Sequence, residues 1–291
     1  MAGKNERQRR QAREKHRRQQ EQRLVRQRQV RRRWAIGTLA VLVAAGVGTL
    51  LLIFLPSGGA KKASASASKS PSASPTATAT AVAEPAHHCS YTSATPAAKK
   101  VSLPPAAPDY TDSYQATINT SQGKITFNLL NNKATCTVNS FVHLAQAGYF
   151  NNTQCHRVVT SGIYVLQCGD PYATASAKLN CSATSKIGSG TPGYAFANEN
   201  LTGAKYPAGT VAMANGGPNT NGSQFFIVYK DSTSGLNGTS GPAYTPFATV
   251  SAGLGIVQNV AKGGYSCQYA QSGGGVPKKK VIIDSVTIKK A

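Results

Sequence analysis

The chain has 291 residues, with 32 Lys and Arg against 10 Asp and Glu and a formal net charge of +22. A hydrophobic content of 40% with 28 Gly and 15 Pro excludes a collagen-like or wholly disordered chain. Those averages conceal a division by segment that argues against a cytosolic soluble enzyme. Residues 1–33 hold 14 Lys or Arg and three Glu, residues 34–55 hold no charge, and residues 57–88 lack Phe, Trp, Tyr, Leu and Ile. A core is available only from about residue 100 onward, which leaves enough chain for one ordinary domain.

Residues 34–55 are expected to form a transmembrane helix. At about 1.5 Å per residue the run spans about 33 Å, close to a bilayer core of about 30 Å. Trp34 stands at the expected interface and Pro56 ends the run. The rival, a cleaved signal peptide, has a shorter apolar core of about 7–15 residues and a shorter basic lead. The basic block 1–33 predicts a cytoplasmic N-terminus and an extracytoplasmic domain, in a single-pass cell-membrane protein. Its charge fits anionic lipid headgroups, and no nucleic-acid partner is expected. Residues 56–111, rich in Ser, Ala, Thr and Pro, are expected to be a disordered linker, because such a composition buries too little apolar surface to offset its ordering entropy.

All six cysteines follow the apolar run: Cys89, Cys136, Cys155, Cys168, Cys181 and Cys267. An even number on the outer side predicts disulfides, and the sequence does not choose among the possible pairings. No CxxC spacing points to a zinc knuckle or a redox pair. The adjacent His87, His88 and Cys89 have no partner cluster, and no metal is expected.

Residues 112–291 are the expected domain. Strands are predicted at Tyr114–Ile118 and Lys124–Leu130, joined by the turn Thr120-Ser121-Gln122-Gly123. A helix is predicted at Thr137–Ala147, with Phe141, Val142, Leu144 and Ala145 on its apolar face and Gly148 closing it. Short strands follow at Arg157–Val159, Tyr164–Gln167, Thr210–Ala214 and Phe225–Tyr229, then a second helix at Leu254–Val260 and a last strand at Val281–Ile288. Many short strands with two helices describe a mainly β domain, an antiparallel barrel or sandwich. Gly188 to Gly193 fits GxGxxG by count. No strand leads in and no helix opens from it, so it is read as a glycine-rich loop.

The run Met213-Ala214-Asn215-Gly216-Gly217-Pro218-Asn219-Thr220-Asn221-Gly222-Ser223-Gln224-Phe225-Phe226-Ile227 resembles the signature of cyclophilin-type peptidyl-prolyl cis-trans isomerases. His156-Arg157-Val158-Val159 followed by Gln167-Cys168-Gly169-Asp170-Pro171 is similar to a second stretch of that family, with two extra residues between the halves. The glycine-rich loop, Tyr194 and residues 196–200 extend the likeness, which covers about residues 112–290. It implies a closed eight-stranded antiparallel barrel with two capping helices. It also implies a peptidyl-prolyl isomerase that assists the folding of exported proteins. A family segment containing a tryptophan is represented only by Leu236-Asn237-Gly238 and Tyr244-Thr245-Pro246-Phe247-Ala248, without the tryptophan.

Prolyl isomerisation breaks no bond, so it requires no nucleophile, metal or cofactor. It rotates an amide over a barrier of about 18–20 kcal/mol. A site accelerates this by holding the twisted amide better than the planar one. By the resemblance, Arg157 is the catalytic donor to the prolyl nitrogen, against the alternative of a surface ion pair. Phe226, Tyr164 and Val165 are the expected pocket residues, Tyr164 and Val165 replacing the family's Phe and Met. Gln167, Ala214, Asn215 and Gln224 match residues that hold the substrate backbone, the alternative being hydrogen bonds between loops. Leu236 and Tyr244 are expected at the pocket rim. His156 is expected to make a structural hydrogen bond, because the reaction abstracts no proton. The competing functions are a non-catalytic module or chaperone of the envelope that binds proline-containing segments, and a structural anchor acting through its basic tail.

Overall fold

The structure is a computed structural model that describes residues 88–94, 96–239, 241–270 and 273–290. The expected cytoplasmic segment 1–33, the apolar run 34–55 and the linker up to residue 87 lie outside the described residues. Among the described residues no helix is long and apolar enough to cross a membrane.

The expected hairpin is present as β2 (Tyr114–Thr120) and β3 (Gly123–Leu129), pairing Gln115 with Asn128 and Thr120 with Gly123. Its alternation is physical: Ala116, Ile118, Ile125, Phe127 and Leu129 are buried on one face. Helix α1 (Thr135–Gln146) starts two residues before the expected position. The reason is remote in sequence. The Glu199 carboxylate accepts the backbone N–H groups of Cys136 and Thr137 at 3.0 and 2.7 Å, so an anion sits on the helix N-terminus. Val138, Phe141, Leu144 and Ala145 face the core. Two further helices follow, α2 (Thr233–Asn237) and α3 (Leu254–Lys262), of which α3 is the second helix expected.

Thirteen strands form among the described residues. The remainder are β1 (Thr92–Ser93), β4 (Thr153–Gln154), β5 (Arg157–Ser161), β6 (Ile163–Cys168), β7 (Tyr194–Ala195), β8 (Thr210–Met213), β9 (Phe225–Val228), β10 (Pro246–Ala252), β11 (Tyr265–Gln268), β12 (Gly275–Pro277) and β13 (Ile282–Lys290). The strands with good alternation match expectation. The very short ones, such as β4, β7 and β11, hold their conformation through partners far away in sequence and carry no local signal.

The architecture is mainly β, as expected, but the ladders do not give a closed ring of eight. They give a small sheet of β1 and β7 and an eleven-stranded sheet in the order β11-β12-β5-β6-β9-β8-β10-β3-β2-β13-β4. The outer edge of β5 is occupied by β12, through Val158 and Gly275, while β13 pairs with β4 instead. The core is aromatic. Phe225 meets Phe127, Phe141 and Phe150 edge-on, at centroid distances of 6.3, 5.6 and 5.8 Å. Each such pair contributes about 0.5–1.5 kcal/mol beyond its buried area.

The described end of the expected linker lies on the domain. Cys89 is buried and bridged to Cys136 in α1. Thr92 and Ser93 pair with Ala195 and Tyr194, and the Ala94 and Ala98 N–H groups donate to the Gly193 and Thr191 carbonyls. The Lys99 ammonium donates to the Gly148 and Tyr149 carbonyls at 3.0 and 2.9 Å. Composition misses this because a covalent staple, backbone pairing and a single aromatic, Tyr91 packed edge-on against Tyr194 and Phe196, order the segment together.

All six cysteines are paired: Cys89–Cys136, Cys155–Cys168 and Cys181–Cys267, with sequence separations of 47, 13 and 86 residues. Loop-closure entropy assigns them about 4, about 3 and about 4.6 kcal/mol respectively. Thiol titration of the unreduced, unfolded protein should therefore find no free thiol. The Cys89→Ser/Cys136→Ser variant should melt about 8–16 °C below the parent by calorimetry.

Candidate active site

Strand alternation builds the site. On β6, Ile163, Val165 and Gln167 share one face; on β9, Phe225 enters the aromatic core while Phe226 points the other way. A second apolar cluster results, with Val159, Val165, Tyr206, Ala212, Phe226 and Leu236 buried together and Ile163, Ala214 and Tyr244 packed on it. This cluster floors a cavity of about 550 Å³ that Arg157 and Gln167 also line. The Tyr244 ring stands edge-on to Phe226 at 5.5 Å, and its carbonyl accepts the Tyr206 hydroxyl at 2.6 Å.

Arg157 begins β5, directly opposite Gln167 in the β5–β6 ladder. Its Nη1 donates to Gln167 Oε1 at 2.9 Å and its Nε donates to the Gly273 carbonyl at 2.9 Å. Gln167 Nε2 donates to Gln224 Oε1 at 3.0 Å. Gln224 Nε2 in turn donates to the Gly188 and Gly190 carbonyls, both at 3.0 Å. The cation is thus held by a relay of two amides ending on the glycine-rich loop. Burial lowers the Arg157 pKa from its ordinary value, with Tyr244 and Tyr269 opposing that shift. Guanidinium starts so high that it keeps its charge.

The glycine-rich loop is held from below by Asp170. Its carboxylate accepts the Gly188 N–H, and the Tyr172 N–H at 2.8 Å. Burial raises the Asp170 pKa, and these backbone donors counter the shift. A Cβ on Gly190 would collide with the Asp170 carboxylate, and one on Gly169 would collide with the Ser223 carbonyl. Gly169 also has φ +85°, in the left-handed region. The neighbouring position carries Cys168 instead, buried and bridged to Cys155, so the disulfide braces the strands that carry Arg157 and Gln167.

Of the expected residues, Arg157, Val165, Gln167, Ala214, Asn215, Phe226, Leu236 and Tyr244 line the one cavity. Gln224 lines an adjoining cavity of about 410 Å³ that shares Gln167, Ala214 and Asn215. Asn215 also makes the loop contact given as its alternative, its Nδ2 donating to the Ala243 carbonyl at 2.9 Å. Tyr164 is not a lining residue. It packs edge-on against Tyr229 at 6.0 Å with the Lys230 ammonium 4.5 Å from its ring centre. Adjacent strand residues point to opposite faces, and of this strand it is Ile163, Val165 and Gln167 that line the cavity. Period-2 alternation alone carried that signal. Ser189 of the glycine-rich loop also lines the cavity, as do Ile187 and Tyr269, which had no motif to mark them.

His156 differs from expectation. It is 1% exposed, and neither ring nitrogen has a hydrogen-bond partner among the described residues. Burial, then the neighbouring Arg157 charge, push its pKa down to about 3. It is a neutral filler beside the cation.

A half-buried, oriented cation beside an apolar cavity suits holding an apolar ring next to a polar group. The family comparison agrees. The model of the "Cyclophilin type peptidyl-prolyl cis-trans isomerase/CLD" family matches residues 115–288, and the chain belongs to that family. "Probable peptidyl-prolyl cis-trans isomerase B" of Mycobacterium leprae is 44% identical over 220 residues, covering 69% of this chain and 66% of that protein. Its Mycobacterium tuberculosis counterpart is 42% identical, with 69% and 64% covered, so the chain spans just under two thirds of the length of either relative. A solved cyclophilin-type isomerase of Cryptosporidium parvum is 26% identical with a TM-score of 0.47, covering 62% of this chain and 99% of that one.

The His156 shift has a signed consequence. Unfolded histidine takes up a proton near pH 6.5 and the folded one only near pH 3, so the unfolded state binds more protons between those values. This stability contribution is complete above about pH 6.5 and declines as pH falls toward 3. Melting temperatures measured from pH 7 to pH 4 should drop more steeply for the parent than for His156→Gln. An equal slope would show that the ring titrates normally.

Proposed function

We propose that the chain is a peptidyl-prolyl cis-trans isomerase acting without covalent chemistry. The observation that carries this reading is Arg157, whose guanidinium is fixed by Gln167 and Gly273 above a cavity floored by Phe226. The proline ring enters the apolar floor of Phe226, Val165, Leu236 and Tyr244. As the amide twists, its conjugation is lost and a lone pair localises on the prolyl nitrogen. Arg157 donates to that nitrogen, an interaction the planar amide cannot accept, so it lowers the barrier rather than merely binding. Ala214 and Asn215 border the path of the flanking backbone. The alternative is a module that only holds proline segments, and a binder has no need of an amide relay that aims the cation.

The same reading extends to place and architecture. A basic block before an uncharged run that is long enough to span a bilayer supports a single-pass anchor. Three disulfides support an extracytoplasmic domain that assists exported proteins. β4 and β5 are separated only by Cys155 and His156, so the stretch 153–161 acts as one bent strand closing an eight-stranded barrel. Protease added to intact cells should remove the domain 112–291 and spare residues 1–33; protection of both would overturn the proposed topology.

Arg157→Ala should lower turnover about 10²–10³-fold in a proline-isomerisation assay, with the melting temperature and peptide affinity nearly unchanged. Arg157→Lys should recover little, since a compact ammonium does not reproduce the planar fork. Phe226→Ala should instead weaken peptide affinity as well as turnover. Near-parent turnover in a folded Arg157→Ala would sink the catalytic reading and favour the binding module.

A further inference from the structure

Strand β5 has two edges, and the one away from β6 carries the hairpin of β11 and β12. This hairpin lies outside the motifs that marked the site. The Cys181–Cys267 disulfide ties it to the chain just before the glycine-rich loop. Its tight seat on β5 needs glycine: a Cβ on Gly274 would collide with the Val158 carbonyl, and one on Gly275 with the Cys267 carbonyl. Two of its groups reach the site. The Gly273 carbonyl accepts Arg157 Nε, and the Tyr269 side chain lines the same cavity as Phe226 and Tyr244.

Tyr269 is held at both ends. Its N–H donates to the Gly274 carbonyl at 2.9 Å, and its hydroxyl donates to the His156 carbonyl at 3.1 Å. Because that hydroxyl proton is engaged by backbone, the ring offers the cavity a rigid apolar surface rather than a donor. A ring already fixed loses little side-chain entropy when a ligand packs on it.

We propose that Tyr269 is a substrate-binding residue, and that its hairpin makes the site select for an apolar or aromatic residue next to the proline. This rests on the isomerase reading above for the identity of the ligand. The ring forms the cavity wall beside Arg157, whereas Phe226 and Tyr244 pack on each other at the apolar floor. A peptide whose proline occupies that floor lays a neighbouring side chain against Tyr269.

The test uses the full chain and short peptides that vary the residue on either side of one proline from Gly to Leu to Phe. The parent, Tyr269→Phe and Tyr269→Ala are compared for kcat, KM, calorimetric Kd and melting temperature. Tyr269→Ala should raise KM and Kd about 3- to 10-fold for the Leu or Phe peptides on one side of the proline. The Gly peptides should change less than about twofold, with kcat kept, and Tyr269→Phe should match the parent because it keeps the ring. A uniform loss across all peptides, or a loss in kcat alone, would overturn the proposal, since a merely structural tyrosine gives that pattern. Unchanged KM and Kd would overturn it too. Should Tyr269→Ala melt far below the parent, Tyr269→Leu makes the same comparison with the bulk retained. A parent that binds these peptides without turning them over would refute the isomerase reading, while the calorimetric comparison would still decide the role of Tyr269.

Discussion

A half-buried cation must be aimed, and much of this domain can be understood as the means of aiming one. Arg157 is withdrawn from water, which costs free energy unless its donors find partners. Gln167 and the Gly273 carbonyl supply them from opposite sides. Gln167 needs Gln224, Gln224 needs the carbonyls of Gly188 and Gly190, and that loop needs the Asp170 carboxylate beneath it. An unmet donor anywhere along this line would be costly in a low-dielectric interior. The direction of the guanidinium is therefore set by a network that reaches far beyond the cavity.

The apolar half of the site follows from a different constraint, the two-residue period of a strand. Phe225 and Phe226 are neighbours in sequence and belong to separate clusters. One locks the aromatic core, and the other floors the cavity. The floor is thereby continuous along β9 with the aromatic core. The same period turns Ile163 toward the cavity and Tyr164 toward Tyr229.

The disulfides add covalent ties around the site. Cys155–Cys168 spans the strands carrying Arg157 and Gln167, Cys181–Cys267 ties down the hairpin that supplies Gly273, and Cys89–Cys136 holds the N-terminal strap on α1. Ala94 and Ala98 of that segment donate to the Gly193 and Thr191 carbonyls within the glycine-rich loop. The Cys89–Cys136 and Cys181–Cys267 bridges hold short strands at the edges, and the Cys155–Cys168 bridge adds a covalent tie to strands already paired and buried through Val158 and Leu166.

The sequence by itself determined the mainly β class, the β2–β3 hairpin, the helices α1 and α3 and most of the cavity lining. Alternation, helical periodicity and the signature 213–227 are local properties that survive without a fold. Arg157, Gln167, Gln224 and Phe226 were legible because they sit within contiguous motifs. Only the tertiary structure decided the cysteine pairing, the order of strands in the ladder, the seat of residues 89–94 on the domain and the seat of Tyr269. Each of these depends on contacts between residues distant in sequence, such as Cys89 on Cys136 or Gly275 on Val158. Such contacts form because the closed core brings their backbones within hydrogen-bonding reach, and neither composition nor periodicity encodes that proximity.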